Sequence, residues 1–209
     1  MDDLRFKHPC TITVAGPTGS GKTELTKRLI ENINSLMVPV PKEIIWCYTE
    51  YQPGYICLES FPNVKLHEGL PDSENFRDTK DVPKCIILDD MMTSKQRDKL
   101  TNLFIKGSHH WNLSVVNIVQ NLFFENLRTS RINSAYLFLL KNPSDKLQIS
   151  NLSCQLFPEA KNLLVEAYRD ATVKPFSYLL IDCHQTTPEG FRIRTGVFPG
   201  EEIVIYMPK

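Results

Sequence analysis

The β-branched run Thr11–Ala15 breaks into Gly16-Pro17-Thr18-Gly19-Ser20-Gly21-Lys22-Thr23, and the spacing of Leu25, Leu29, Ile30 and Ile33 behind it predicts a helix over Lys22–Ser35. A strand feeding a glycine-rich loop that opens a helix is the first half of a βαβ unit. Glycine lets such a loop wrap a tetrahedral anion with its N–H groups inward, and the helix N-terminus adds partial positive charge. Gly16, Pro17, Thr18, Gly19, Ser20, Gly21, Lys22 and Thr23 are therefore the expected cradle for the phosphates of ATP. In that cradle Lys22 bridges the β- and γ-phosphates and Thr23 ligates Mg²⁺. A glycine-rich turn that binds nothing is the alternative; strand, loop and helix falling in register argue against it.

Four further apolar runs follow, Ile44–Tyr48, Cys85–Leu88, Val115–Val119 and Ala135–Leu140, each short enough for a strand covered on both faces. Between two of them Leu100, Leu103 and Phe104 predict a helix over Lys95–Lys106. This alternation implies an α/β fold with a mostly parallel sheet. Residues 51–83 hold Pro53, Gly54, Pro62, Gly69, Pro71 and Pro83, so loops are expected there, with a short strand near Val64–Leu66 and a short helix near Asp72–Phe76. Ala160, Leu164, Ala167 and Ala171 predict a helix over Pro158–Thr172. Tyr178–Asp182, Phe191–Phe198 and Glu202–Met207, separated by turn signals, read as a C-terminal antiparallel extension. The 209 residues suit a single domain, with a core over about residues 8–150 and the helix and meander over about 151–209.

A phosphate cradle needs an acidic partner on a neighbouring strand, and Cys85-Ile86-Ile87-Leu88-Asp89-Asp90 supplies it. Asp89 is the expected metal-side carboxylate and Asp90 the base that polarises an attacking water. A strand ending in a solvated Asp pair is the plainer alternative. Paired carboxylates favour hydrolysis over transfer to a small hydroxyl substrate. The run Ser114–Val119 ends in Gln120-Asn121 at the carboxyl edge, where open α/β sheets bind ligands. Gln120 is the expected γ-phosphate sensor and Asn121 a local cap. Arg128 or Arg131 is the candidate arginine finger, in cis or from a neighbouring subunit, with a basic turn as the alternative. Lys106-Gly107-Ser108-His109-His110-Trp111 offers contacts to DNA or an adjacent protomer, or a structural histidine; Lys95-Gln96-Arg97-Asp98-Lys99 reads first as a solvated helix face, with a phosphate-contacting loop as the alternative.

Lys plus Arg and Asp plus Glu are 24 each, so no bulk field draws the chain to a polyanion. Any grip on DNA has to come from several copies presenting a few cations each. The six cysteines form no CxxC pair, and Cys47 and Cys85 fall inside core-strand runs, which suits reduced thiols better than disulfides or zinc. No stretch approaches the ~18 apolar residues of a membrane span, and the N-terminus lacks a secretory h-region. An unsecreted protein with no membrane partner is expected, and the sequons at Asn112 and Asn151 are attributed to chance.

The order Gly16–Thr23, Leu88-Asp89-Asp90, Gly107-Ser108-His109-His110, Ile118-Val119-Gln120-Asn121 and Arg131-Ile132-Asn133 resembles the FtsK–HerA superfamily of DNA-pumping ATPases. More narrowly, it is similar to the genome-packaging ATPases of Polinton/Maverick elements, adintoviruses and related eukaryotic DNA viruses, poxvirus-type ATPases among them. The tail Asp182–Arg194 with Phe198-Pro199 adds to the likeness. The resemblance implies a P-loop NTPase with a RecA-like ASCE core, its Walker B strand separated from the P-loop strand by the Gln-bearing strand. It also implies a homo-oligomeric ring, hexameric or pentameric, that threads double-stranded DNA into a capsid, with capsid proteins as partners and the host nucleus or a cytoplasmic assembly site as its location. Relatives often carry an arginine in the Gly-rich His segment; Ser108 or His109 stands there in this chain, which shifts the finger to Arg131. The chain also starts close to the P-loop strand, so no N-terminal adaptor is expected. A nucleoside or nucleotide kinase and a non-catalytic, ATP-gated assembly subunit are the competing readings.

Overall fold

The computed structural model describes residues 4–72, 81–91, 100, 103–104, 111–123 and 131–208. Its strands are β1 (Phe6–Lys7), β2 (Thr11–Ala15), β3 (Met37–Val38), β4 (Glu43–Tyr48), β5 (Val64–Glu68), β6 (Lys84–Asp89), β7 (Leu113–Val119), β8 (Tyr136–Leu140), β9 (Tyr178–Asp182), β10 (Ile193–Thr195) and β11 (Val204–Ile205). Nine of them form one sheet in the order β11-β10-β9-β8-β2-β7-β6-β4-β5. From β8 to β5 every pairing is parallel; β9, β10 and β11 continue the sheet antiparallel. The fold is thus α/β with a mostly parallel sheet and an antiparallel C-terminal extension, and β7 lies between β2 and β6.

The central strands are buried on both faces because their side chains alternate between two cores. Ile12, Val14, Cys85, Ile87, Val116, Ile118, Phe138 and Leu140 face one layer, shared with Leu25, Leu29 and Ile30 of helix α1 (Lys22–Glu31). Ala15, Val119, Leu137 and Leu139 face the other, against α3 (Leu147–Leu156) and α4 (Lys161–Ala171). Next to them Ile86, Leu88 and Val115 pack with Leu100, Leu103 and Phe104. The expected helix over Lys95–Lys106 otherwise lies outside the described residues; that near Asp72–Phe76 does too, except for Asp72, which belongs to no regular element. Cys10, Cys47 and Cys85 are buried, and all six cysteines are unpaired.

Several expectations need correction. The first helix does not run to Ser35: α1 ends at Glu31, Asn32 donates its side-chain amide to Arg28 O at 2.9 Å, and a short α2 (Ile33–Leu36) follows. A side chain that bonds its own helix backbone competes with continuation. The helix over Pro158–Thr172 starts instead as a 3₁₀ turn, Pro158–Ala160, and becomes α-helical at Lys161. Helix α3 has no counterpart among the sequence expectations. It follows Asn142 and Asp145, whose carboxamide and carboxylate oxygens accept the N–H groups of Ser144, Asp145 and Gln148 and so build its entry turn. Residues Pro53–Ser60 form a 3₁₀ helix where loop is expected. The parallel pair β1–β3, two residues each, is too short to show a period. Strands β10 and β11 are shorter than the runs that announced them. The backbone turns between them at Gly196, where a Cβ would fall 1.8 Å from Glu202 O.

Two ion pairs brace the extension, one buried and one exposed. Arg194, about 1% exposed, pairs with Asp182 at 2.9 Å and donates to Phe191 O at 2.6 Å and Leu4 O at 3.3 Å, so one guanidinium ties the segment at Leu4 and the turn at Phe191 to β9. Arg28 of α1 sits over the Phe198 ring at 4.1 Å and pairs with Glu201 at 2.8 Å. Among the described residues, no helix is long and apolar enough to cross a membrane.

Candidate functional site

Sheet register decides which loops meet. Ala15 lies opposite Val119, and Ile118 opposite Asp89, so β2, β7 and β6 finish at one level. Gly16, Gln120 and Asp90 therefore leave the carboxyl edge side by side, where parallel strands put their ligand-binding loops.

The loop after β2 has the geometry of an anion cradle. Gly16 N–H donates to Val119 O at 3.2 Å and Ser20 N–H to Pro17 O at 3.1 Å, closing the turn. Gly19 (φ 76°) and Gly21 (φ 94°) take left-handed conformations, which point successive amides inward, and α1 begins directly after at Lys22. A Cβ on Gly16 would come 2.6 Å from Ser20 Oγ, so the loop admits no side chain there. Ser20 Oγ is buried without a hydrogen-bond partner among the described residues, an orphan a phosphate oxygen would satisfy. Lys22 Nζ folds back to donate to Pro17 O at 2.9 Å. Burial pulls its pKa below the usual lysine value, while the charges of Asp90 and Asp89 pull it up. Thr23 lies in the first turn of α1. The cradle thus fits a polyphosphate.

The two carboxylates at the end of β6 occupy different environments. Asp89, about 6% exposed, accepts a 2.8 Å hydrogen bond from the Tyr55 hydroxyl. Burial raises its pKa above the usual carboxylate range, with the Tyr55 bond acting the other way. Tyr55 is itself buried, packed against Trp46, Tyr48 and Tyr51, and burial pushes its hydroxyl pKa up. Asp90 is exposed, in a left-handed conformation (φ 52°) that swings its side chain off the strand axis. It accepts a 3.1 Å bond from Gln120 Nε2. Asn121 Oδ1 accepts the Phe123 N–H at 2.7 Å, the local capping expected of it.

Lys22, Asp89, Asp90 and Gln120 thus come together. Arg131 does not join them by its contacts: it donates to Leu122 O at 3.2 Å and lies over the Phe123 ring at 4.1 Å, both beyond β7. Arg128, Lys106–His110 and Lys95–Lys99 lie outside the described residues, while Trp111 is buried. Among the described residues no group of three His, Cys, Asp or Glu could hold a metal. A divalent ion here would need the nucleotide's own phosphate oxygens as ligands beside Thr23 and Asp89, the way Mg²⁺ is ordinarily held at phosphate sites. Sequence reasoning missed Tyr55 and the buried Lys27 of α1, whose ammonium pairs with Glu24 at 2.8 Å and whose charge reaches Asp89. Tyr55 sits in the Pro- and Gly-broken stretch, where no period marks an inward face.

No family model and no curated protein matches this sequence. Solved structures do. The genome packaging NTPase B204 from Sulfolobus turreted icosahedral virus 2, solved with ATP-gammaS, superposes with a TM-score of 0.50 at 14% identity over 95% of this chain and 97% of its own. The cytoplasmic domain of the Thermomonospora curvata Type VII secretion ATPase EccC gives 0.54 at 13% identity over 94% of this chain. Of those larger neighbours the chain spans only a part, 25% of the EccC chain and 32% of the cytoplasmic domain of EssC. With its P-loop strand next to β7 and one strand removed from β6, the fold is that of the P-loop ATPases.

Proposed function

We propose that this chain is an ATP-hydrolysing motor subunit of the FtsK–HerA type that moves double-stranded DNA into a viral or virus-like capsid. The observation that carries the hydrolytic reading is the 3.1 Å bond from Gln120 to Asp90 at the mouth of the loop holding Lys22. A carboxylate that accepts from a γ-phosphate sensor is aligned to take a proton from water, and the same amide reports when phosphate is present. The packaging reading draws on the family resemblance and on end-to-end similarity to an NTPase described as genome packaging.

In this mechanism Lys22 exchanges Pro17 O for the β- and γ-phosphate oxygens of ATP as the triphosphate enters. Ser20 Oγ and the inward amides of Gly19 and Gly21 complete the cradle. Thr23 and Asp89 are the residues that would hold Mg²⁺, which would supply neutralisation of charge on the phosphate oxygens. Tyr55 keeps Asp89 turned toward the cradle, and Asp90 takes the water's proton while Gln120 orients that water. Arg131, which among the described residues contacts Leu122 and Phe123, serves as a finger from another subunit.

A chain with 24 positive and 24 negative side chains grips DNA only as a ring, in which several copies add their few phosphate contacts. The test is ATP hydrolysis with and without linear double-stranded DNA, beside Lys22→Ala and Asp90→Asn. DNA-stimulated turnover lost in both variants supports the motor. Slow turnover indifferent to DNA, with phosphate passed to a nucleoside panel, supports a kinase instead. Function retained in Asp90→Asn but lost in Lys22→Ala supports an ATP-gated assembly subunit.

A further inference from the structure

Between α4 and β9, residues 172–177 turn beside the phosphate cradle, and Phe176 in that turn has no role in hydrolysis. Its side chain is 67% exposed, one of the most exposed large apolar groups described. Its backbone is left-handed, with φ 62°. For a bulky residue that is a true outlier, and such conformations persist only where the surroundings impose them. The surroundings here do: Lys141 Nζ donates to Val173 O at 3.1 Å, Ser177 Oγ to Lys174 O at 2.6 Å, and Val173 N–H to Asp170 O at 3.3 Å. The turn therefore sets an aromatic ring in solvent at the cost of backbone strain.

That ring lies against the cradle. Its Cδ1 stands 3.1 Å from where a Cβ on Gly21 would be, so the ring edge rests on the N-cap residue of α1. Gly21 is where the phosphate chain meets the helix N-terminus. A nucleotide whose phosphates filled the cradle would have to place its ribose and base outside it, within reach of residues that flank the loop. The same turn helps line a cleft of about 470 Å³ through Thr172 and Val173, together with Lys141 and Tyr168. Lys141 directly follows β8, the neighbour of β2 on the side away from Asp89.

We infer that Phe176 is the stacking platform for the base of the nucleotide whose phosphates the cradle holds. The inference rests on the nucleotide-binding reading above and adds the part of the ligand that reading leaves unassigned. Stacking on a lone aromatic face tolerates any base and strengthens with ring area, so purine nucleotides bind ahead of pyrimidine ones.

Equilibrium binding of ATP and of inorganic tripolyphosphate to the intact chain and to Phe176→Ala tests it. Phe176→Ala is expected to weaken ATP about tenfold while leaving tripolyphosphate unchanged, and Phe176→Tyr to restore ATP. Phe176→Trp supplies a second readout: Trp46 and Trp111 are buried, so the new exposed indole should be quenched by ATP and not by tripolyphosphate. Equal weakening of both ligands, or of neither, overturns the base site, as does an indole that responds to self-association instead of ATP. An unmodified chain that binds neither ligand overturns the nucleotide reading itself, along with this inference.

Discussion

At the carboxyl ends of β2, β6 and β7 polar groups stand open: Ser20 Oγ has no partner among the described residues, Lys22 leans on its own loop, and Asp90 and Gln120 meet in solvent. In the extension β9–β11 the opposite holds, with Arg194 and Asp182 both buried and paired, and Tyr178 donating to Glu201 at 2.6 Å while accepting from Val197 N–H. The same residue classes do two jobs. Where bonds close internally they fix the chain; where they are left half made, an incoming group completes them.

The sharpest way to break that contrast is to remove a charge from each region. Lys22→Ala and Asp90→Asn should each lower ATP turnover by about a thousandfold, within the range that a proton-transfer group or a preorganised charge contributes, with little change in melting temperature. Arg194→Ala should behave inversely. Leaving Asp182 charged and unpaired should cost about 3–5 kcal/mol in urea unfolding, with turnover per folded molecule kept. Replacing both Arg194 and Asp182 by apolar residues of similar size should recover most of that loss.

Smaller effects sharpen the boundary between the regions. Tyr55→Phe removes a bond to a carboxylate that is buried and, in the proposed mechanism, faces the metal, so it should lower turnover about tenfold and stability by about 1 kcal/mol. Urea melts and kcat measured on the same preparation separate the two. The finest test is the pH dependence of Asp89→Asn. Asp89 titrates above its unfolded value, so its contribution to stability is fully present below the ordinary carboxylate pKa of about 3.9 and is lost as pH rises through the raised folded value. The variant should therefore melt higher than the parent at neutral pH, with the gain vanishing at about pH 3. A gain independent of pH would assign the effect to packing instead of charge.

Legibility in the sequence followed the same division. The central strands could be read because a parallel strand covered on both faces is a continuous apolar run, and the motif at Gly16–Thr23 needs only local backbone freedom. Asp89, Asp90 and Gln120 were found because each directly follows such a run. Helix α3 escaped, since Leu147, Ile149, Leu152 and Leu156 carry a weak period among polar neighbours and its start depends on Asn142 and Asp145. Tyr55 and Phe176 escaped for a deeper reason. Their meaning lies in what they touch, 34 residues away for Tyr55 and Asp89, and across the sheet for Phe176 and Gly21.

The sequence alone determined the alternation of strands and helices, the loop able to wrap phosphate, and the positions of the acidic and amide residues that end neighbouring strands. These are properties of local backbone freedom and side-chain period, and each is written within a few consecutive residues. Only the tertiary structure decided the order of the outer strands, the burial that separates Asp89 from its neighbour Asp90, and the contacts that bring Tyr55 and Phe176 to the site. Those depend on which distant segments share a sheet edge, and that is set by the packing of the whole core.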